Sequence, residues 1–376
     1  MDKDRTAAYQ ILKKIAEDKA YSNLAVNEYI RDHEVVSPAF IRELVYGVLR
    51  NEILLDHCIG NYVSAMSKTK LSDKIILRMG FYQLARMDSV KSYAAVNESV
   101  ELAKRFAKGR DRFINAVLRN FERGGCALDA DEPEIKYSCH PELYAKFREW
   151  YGDEKAFAII ENSVKVPSLT TRENRNGTVS IQGKSSAKAV ETLAPKPGEK
   201  LLDLCAAPGG KSIYAAELME NKGSILSCDL HPHRVELIEK EAERTGESII
   251  RTKCLDATVF NKDFENSFDA VICDVPCTGL GTIAKKPEIK LRGLPDKKDL
   301  AELYRTQKAI FDNAAKYVKA GGRVLYSTCT LNPEENENQL ETFLREHENF
   351  ERMYSETILP KGEYDGFYIA TVKRKQ

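Results

Sequence analysis

Leu201-Leu202-Asp203-Leu204-Cys205-Ala206-Ala207-Pro208-Gly209-Gly210-Lys211-Ser212 reads as a short strand, a tight loop of small residues and a helix start. Small residues let a ligand approach the backbone closely. In open α/β sheets ligands bind outside the carboxyl ends of the strands, where a loop of this kind sits. Three classes of ligand can be weighed against the spacing. A phosphate-binding loop needs G-x-x-x-x-G-K-[ST]; Gly210-Lys211-Ser212 supplies its end, but its first glycine would fall at Cys205. A dinucleotide fingerprint, G-x-G-x-x-G, is absent too. The third class is a nucleoside without a phosphate chain.

The residues downstream favour that third class. Asp229 ends the next strand, 19 residues after Gly210, where a carboxylate can accept from both ribose hydroxyls. Asp256 follows a third short apolar segment and is placed to take an adenine amino group, and Asp274 ends a fourth. Three carboxylates suit a cationic sulfonium such as S-adenosylmethionine and would repel a triphosphate. The candidate cofactor site is therefore Cys205, Ala206, Ala207, Pro208, Gly209, Gly210, Lys211, Asp229, Asp256 and Asp274. The plainer alternatives are a helix-capping role for Asp229 and a surface turn at Asp256.

Around this stretch, from about Gly177, strands and helices alternate. Leu201–Cys205, Ser224–Leu230, Phe268–Val275, Arg323–Thr328 and Gly366–Val372 are short apolar runs; Val235–Arg244 and Leu300–Lys319 are helical stretches between them. Such alternation predicts a mostly parallel sheet covered on both faces. The first 124 residues read differently. Tyr9, Leu12, Ile15 and Ala16 recur at helical spacing, as do Ile41, Leu44, Val45, Val48 and Leu49. Ser37-Pro38 marks a helix start. Asn97–Phe121 reads as one or two amphipathic helices interrupted near Gly109. The expected division is a helical domain over 1–124, a connector over 125–176 with a helix at Pro141–Tyr151, and an α/β domain over 177–376.

The 376 residues carry 57 Lys plus Arg and 57 Asp plus Glu, which excludes a globally basic nucleic-acid binder. The balance is uneven, however. Residues 1–124 hold 21 basic and 16 acidic side chains, and residues 101–124 hold seven and three. Residues 285–298 hold six basic and two acidic. Both stretches are candidate contacts for the phosphates of a polyanionic partner. No apolar run approaches a membrane span, and the N-terminus has no secretory pattern. The nine cysteines include no C-x-x-C pair, which argues against a disulfide framework and a zinc site and for a reducing cytoplasm.

Two of the nine stand apart. Cys277 follows strand Phe268–Cys273 and Cys329 follows Arg323–Tyr326, so both are expected at the sheet's carboxyl edge beside the glycine loop. A thiolate can add to C6 of a pyrimidine and make C5 nucleophilic enough to take a methyl group. A second thiol can assist loss of the C5 proton or release of the adduct. Cys58, Cys126, Cys139, Cys228, Cys254 and Cys273 read as core filling, and Cys205 as packing in the loop. Lys211 is a candidate to orient the acceptor. Asn332–Asn336 reads as a helix N-terminus supporting the Cys329 loop.

Leu202–Ser212, Asp274–Gly279 and Tyr326–Glu335 together resemble the RNA cytosine-5 methyltransferases of the NOL/NOP/Sun group. The resemblance implies a Rossmann-like class I methyltransferase domain with a seven-stranded sheet. It implies Cys329 as nucleophile, Cys277 in adduct breakdown, Asp274 where cytosine and methionine meet, and Asp229 and Asp256 on ribose and adenine. Residues 5–124 are similar to the helical NusB-type RNA-binding domain, and that fusion resembles the branch acting on bacterial 16S ribosomal RNA. Asp365-Gly366-Phe367-Tyr368 resembles the family's terminal strand. Two departures stand out: Ile181-Gln182-Gly183-Lys184-Ser185-Ser186 replaces V-Q-D-E-A-S, and Lys285-Lys286 precede Pro287 where arginine and histidine are usual.

The expectation is a cytoplasmic, monomeric, metal-independent enzyme that methylates C5 of a cytosine in 16S ribosomal RNA, free or within an assembling small subunit. Transfer RNA as substrate, and a non-catalytic RNA-binding assembly factor, are the alternatives.

Overall fold

The computed structural model describes residues 2–168 and 170–376. The chain forms two units. One runs through Val166 and also takes in Ile283–Gly293; the other holds Pro167–Thr282 and Leu294–Gln376. The chain therefore passes between units three times.

The first unit is helical. Asp2 caps helix Lys3–Asp18 by accepting from Arg5 N at 2.9 Å, and Ser37 caps Pro38–Arg50 through Phe40 N at 3.3 Å. Helices Leu71–Arg86, Ser92–Phe106 and Asp111–Arg123 follow, with the interruption between the last two at residues 107–110. In the last of these Ile114, Val117, Leu118 and Phe121 form the buried stripe, and Phe121 stacks on Phe81 at 3.8 Å. Burying each such side chain contributes ~1.5–3 kcal/mol. The opposite face carries Arg112 and Arg123 to solvent. Helix Pro141–Tyr151 forms with the expected bounds.

Segment Pro287–Arg292 is a short helix of this unit, and it corrects one expectation. Lys290 is fully buried, donating to Arg50 O at 3.1 Å, Tyr137 O at 2.7 Å and Ser163 Oγ at 2.9 Å. It collects the carbonyls that helix ends leave unpaired and so cannot reach an RNA phosphate. Burial lowers its pKa to about 7. Glu288, also buried, accepts from Ser22 N at the start of helix Ser22–Asp32.

Among the described residues the second unit holds nine strands: β1 (Thr171–Glu173), β2 (Val179–Ile181), β3 (Lys200–Asp203), β4 (Ser224–Asp229), β5 (Ile250–Cys254), β6 (Phe268–Asp274), β7 (Val318–Thr328), β8 (Phe350–Ile358) and β9 (Phe367–Arg374). β1 and β2 pair as a small hairpin; the rest form one seven-stranded sheet in the order β5-β4-β3-β6-β7-β9-β8. Pairs from β5 to β7 are parallel, and β9 is antiparallel to both β7 and β8. The chain winds outward from β3 to β5 and returns to β6 on the other side of β3. That reversal opens a crevice at the carboxyl ends of β3 and β6.

Several elements differ from the sequence reading. The helix expected to reach Lys319 ends at Tyr317, because Asn266 N and Ser267 N take the Lys316 and Tyr317 carbonyls. β8 was not expected: it is an edge strand with Glu351 and Met353 in solvent, formed by backbone pairing to β9. The hairpin strands are too short to show periodicity.

One close backbone approach braces the crevice. Gly281 N donates to Cys329 O and Gly281 O accepts from Gly366 N, both at 2.9 Å. A Cβ on Gly281 would lie 1.9 Å from Gly366 O. Gly281→Ala is expected to destabilise the second unit by about 1–3 kcal/mol. Denaturant unfolding checks this; an unmoved midpoint would refute the tight approach.

Candidate active site

The loop after β3 turns at Gly209, whose φ of 113° belongs to the region glycine tolerates, and Gly209 N donates to Ala206 O at 2.7 Å. Helix Gly210–Leu218 starts there. The Ala207–Pro208 peptide bond is cis. Asp203, Cys205, Ala206, Ala207, Pro208, Gly210, Lys211 and Asp274 join Gln182, Gly183 and Ser186 around a cavity of about 170 Å³. A Cβ on Gly210 would meet nothing nearer than Gln182 Nε2 at 4.0 Å, so the loop leaves open space there.

Asp203 lies beneath this cavity with no exposed surface. Ser212 Oγ donates to its Oδ2 at 2.7 Å, and Ser227 Oγ donates to Ser212 Oγ at 2.7 Å. Among the described residues its Oδ1 has no hydrogen-bond partner. Burial pushes its pKa up to about 7 despite the Ser212 bond and nearby Lys211. Asp203 was not expected as a site residue; its signal was a carboxylate on the last position of an apolar strand.

Asp229, at the end of β4, is buried and tied back to the loop: Oδ2 accepts from Ala207 N at 3.3 Å, and Arg234 Nη1 lies 3.3 Å from Oδ1. Asp256 is exposed just past β5, and its Oδ1 accepts from Thr258 N at 2.9 Å and Thr258 Oγ1 at 2.6 Å. This is the bonding of a turn-forming carboxylate.

Cys277 and Cys329 come together at the carboxyl edge, their Sγ atoms 3.3 Å apart and both half-buried. The hydrogen bond with Cys329, then burial, then the negative charges of Glu335 and Asp274 push the Cys277 thiol well up. Asp274 links this pair to the glycine loop. Its Oδ2 accepts from Lys211 Nζ and its Oδ1 from Ser327 Oγ, each at 2.7 Å. Lys211 Nζ also lies 5.4 Å from the centre of the Phe367 ring. Burial raises the Cys205 thiol far above its ordinary value. Cys58, Cys139, Cys228 and Cys273 are buried as expected, whereas Cys254 is exposed, donating to Leu230 O at 3.3 Å.

The arrangement offers a crevice with carboxylates on one side and paired thiols on the other. An amino group would satisfy Asp203 Oδ1, Asp229 suits ribose hydroxyls, and small loop residues admit a nucleoside. The residues thus fit S-adenosylmethionine.

Comparison with known proteins agrees. Residues 190–373 match the family described as 16S rRNA methyltransferase RsmB/F, and residues 2–123 match the NusB family. The chain is 35% identical to the probable ribosomal RNA small subunit methyltransferase B of Bacillus subtilis, over 99% of this chain and 98% of that one. It is 30% identical to the corresponding Synechocystis protein over 98% and 99%. In fold it is similar to the crystal structure of PH0851, with a TM-score of 0.76, 22% identity and 98% of each chain covered. A methyltransferase homologue from Pyrococcus horikoshii aligns over 62% of this chain and 95% of its own, with a TM-score of 0.51 and 24% identity.

Proposed function

This chain belongs to the RsmB family of S-adenosylmethionine-dependent small-subunit ribosomal RNA methyltransferases, and on that premise we propose that it methylates C5 of a cytosine in 16S ribosomal RNA through a covalent adduct between Cys329 and C6. The observation that carries the reading is the pair of thiols 3.3 Å apart beside the Lys211–Asp274 ion pair.

S-adenosylmethionine, held by the loop 205–211 with Asp203, Asp229 and Asp256, supplies the electrophilic methyl group that C5 takes up. The chain's residues do the rest. The Cys329 thiolate adds to C6 and pushes electron density to C5, which is otherwise a poor nucleophile. Asp274, fixed by Lys211 and Ser327, faces the cytosine edge where an acceptor for the N4 amino group is needed. After methyl uptake solvent water takes the C5 proton, the C5–H electron pair restores the C5–C6 double bond, and the C6–S bond breaks to return the Cys329 thiolate. Cys277, its sulfur 3.3 Å from that of Cys329, donates its S–H to the departing thiolate and steadies it. The target base must be flipped or already unstacked. The exposed cations Lys104, Arg105, Lys108, Arg112 and Arg123 serve as phosphate contacts, so RNA affinity falls with salt.

Bisulfite sequencing tests the site. Unmethylated 16S ribosomal RNA incubated with the protein and S-adenosylmethionine is expected to gain a bisulfite-resistant cytosine. Label found only on an exocyclic nitrogen or a ribose, or only on transfer RNA, would overturn the proposal.

A further inference from the structure

We propose that Glu335 is a positioning residue for both thiols, fixing their separation by holding the chain on either side of the crevice. This inference rests on the reading that Cys329 attacks and Cys277 assists release. Glu335 closes the single turn Pro333–Glu335 and has no exposed surface. Its Oε2 accepts from Thr278 N and Gln307 Nε2, both at 2.9 Å. Its Oε1 accepts from Thr278 Oγ1 at 2.5 Å and Asn332 Nδ2 at 3.0 Å, with Thr330 Oγ1 at 3.4 Å. The two threonine hydroxyls are themselves 2.6 Å apart.

Thr278 is the residue after Cys277, and Thr330 is the residue after Cys329. One carboxylate therefore grips the same relative position in two loops that are far apart in sequence. The residues before the thiols are tied into the same network. Gln307 Nε2, shared with Glu335, also donates to Pro276 O at 2.9 Å. Asn336 accepts from Thr328 Oγ1 at 2.6 Å and donates to Thr330 O at 3.1 Å. Each cysteine is thus held on both flanks.

Four groups donate to the Glu335 side chain at once, Thr278 N, Gln307 Nε2, Asn332 Nδ2 and Thr278 Oγ1, and none of them is a cation; the Thr330 proton serves the 2.6 Å contact with Thr278. An ionised carboxylate only accepts, so this set fits the charged form. Burying such a charge is costly unless its lone pairs are filled, as they are here. The groups facing Cys277 are Cys329, Glu335 and Asp274, with the Tyr326 phenol behind them. A fixed negative charge there keeps Cys277 protonated, the state in which it can donate to the departing sulfur.

The experiment compares wild type, Glu335→Gln, Glu335→Asp and Thr278→Val. Glutamine turns one acceptor into an NH₂ that opposes a donor, and removes the charge. In Glu335→Gln, kcat for methyl transfer is expected to fall about 100-fold, the effect of a displacement near 1 Å, with KM for RNA and S-adenosylmethionine affinity unchanged. Alkylation of Cys277 by iodoacetamide, followed by mass spectrometry without RNA, is expected to begin at lower pH. Glu335→Asp should restore the wild-type alkylation profile and part of the rate. Should Glu335→Gln fail to fold, Thr278→Val removes one hydroxyl link and preserves shape; a kcat about tenfold down with a wild-type alkylation profile supports the proposal. Wild-type kcat together with an unshifted profile in Glu335→Gln, or wild-type kcat in Thr278→Val, overturns it. A wild-type protein that makes no 5-methylcytosine would instead overturn the proposed function, and the alkylation profile still reports on Glu335.

Discussion

Cys329→Ala is expected to lower methyl transfer to 16S ribosomal RNA by about 10⁴-fold or more while S-adenosylmethionine affinity stays within about threefold of wild type. The split follows from where the groups sit. Cofactor contacts are assigned to the ends of β3, β4 and β5, whereas Cys329 follows β7. Without a thiolate to add at C6, C5 of cytosine stays too weak a nucleophile for transfer. The side chain is half-buried, so the truncation leaves little cavity and the sheet keeps its pairing to β9. Transfer of labelled methyl and equilibrium cofactor binding check the two halves separately. Transfer within tenfold of wild type would eliminate Cys329 as nucleophile.

Cys277→Ala has a different signature. Attack by Cys329 and uptake of the methyl group are intact, but the leaving sulfur has lost the thiol that stood 3.3 Å from it. The methylated adduct is therefore expected to accumulate until most of the active protein is bound to RNA, visible as a slow band in a denaturing gel. Cys277→Ala/Cys329→Ala should show no such band, since no bond to C6 can form. Absence of the band in the single variant, with turnover continuing at the wild-type rate, would remove Cys277 from the release step.

What could be read from the sequence depended on how local the signal was. Leu201–Ser212 announces a strand, a loop and a helix within twelve residues, because the small residues and Gly209 are themselves the turn. Cys277 and Cys329 stood out because each follows an apolar strand of a parallel sheet, and parallel strands end at one edge. That put them on one edge; their approach to 3.3 Å follows from β6 and β7 being neighbours, which neither segment announces. The Glu335–Thr278 bond spans 57 positions, and nothing in either segment alone points to the other. Lys290 looked like one cation among six in a basic stretch. Its burial depends on three acceptors from three separate segments of the helical unit, which charge counting does not see. Edge strand β8 was missed for the opposite reason: backbone pairing needs no apolar periodicity.

The three passages of the chain between units set an order of synthesis. The helical unit is interrupted at Val166 and regains its last piece at Ile283–Gly293. On a ribosome working at about 5–20 residues per second, that piece emerges only after the 116 intervening residues, 167–282, have been made, about 6–23 s later. Until then the carbonyls of Arg50 and Tyr137 lack the Lys290 donor. The first unit to begin folding is thus completed by a segment made far later. A clean cut after residue 166 would yield a fragment missing its own internal plug.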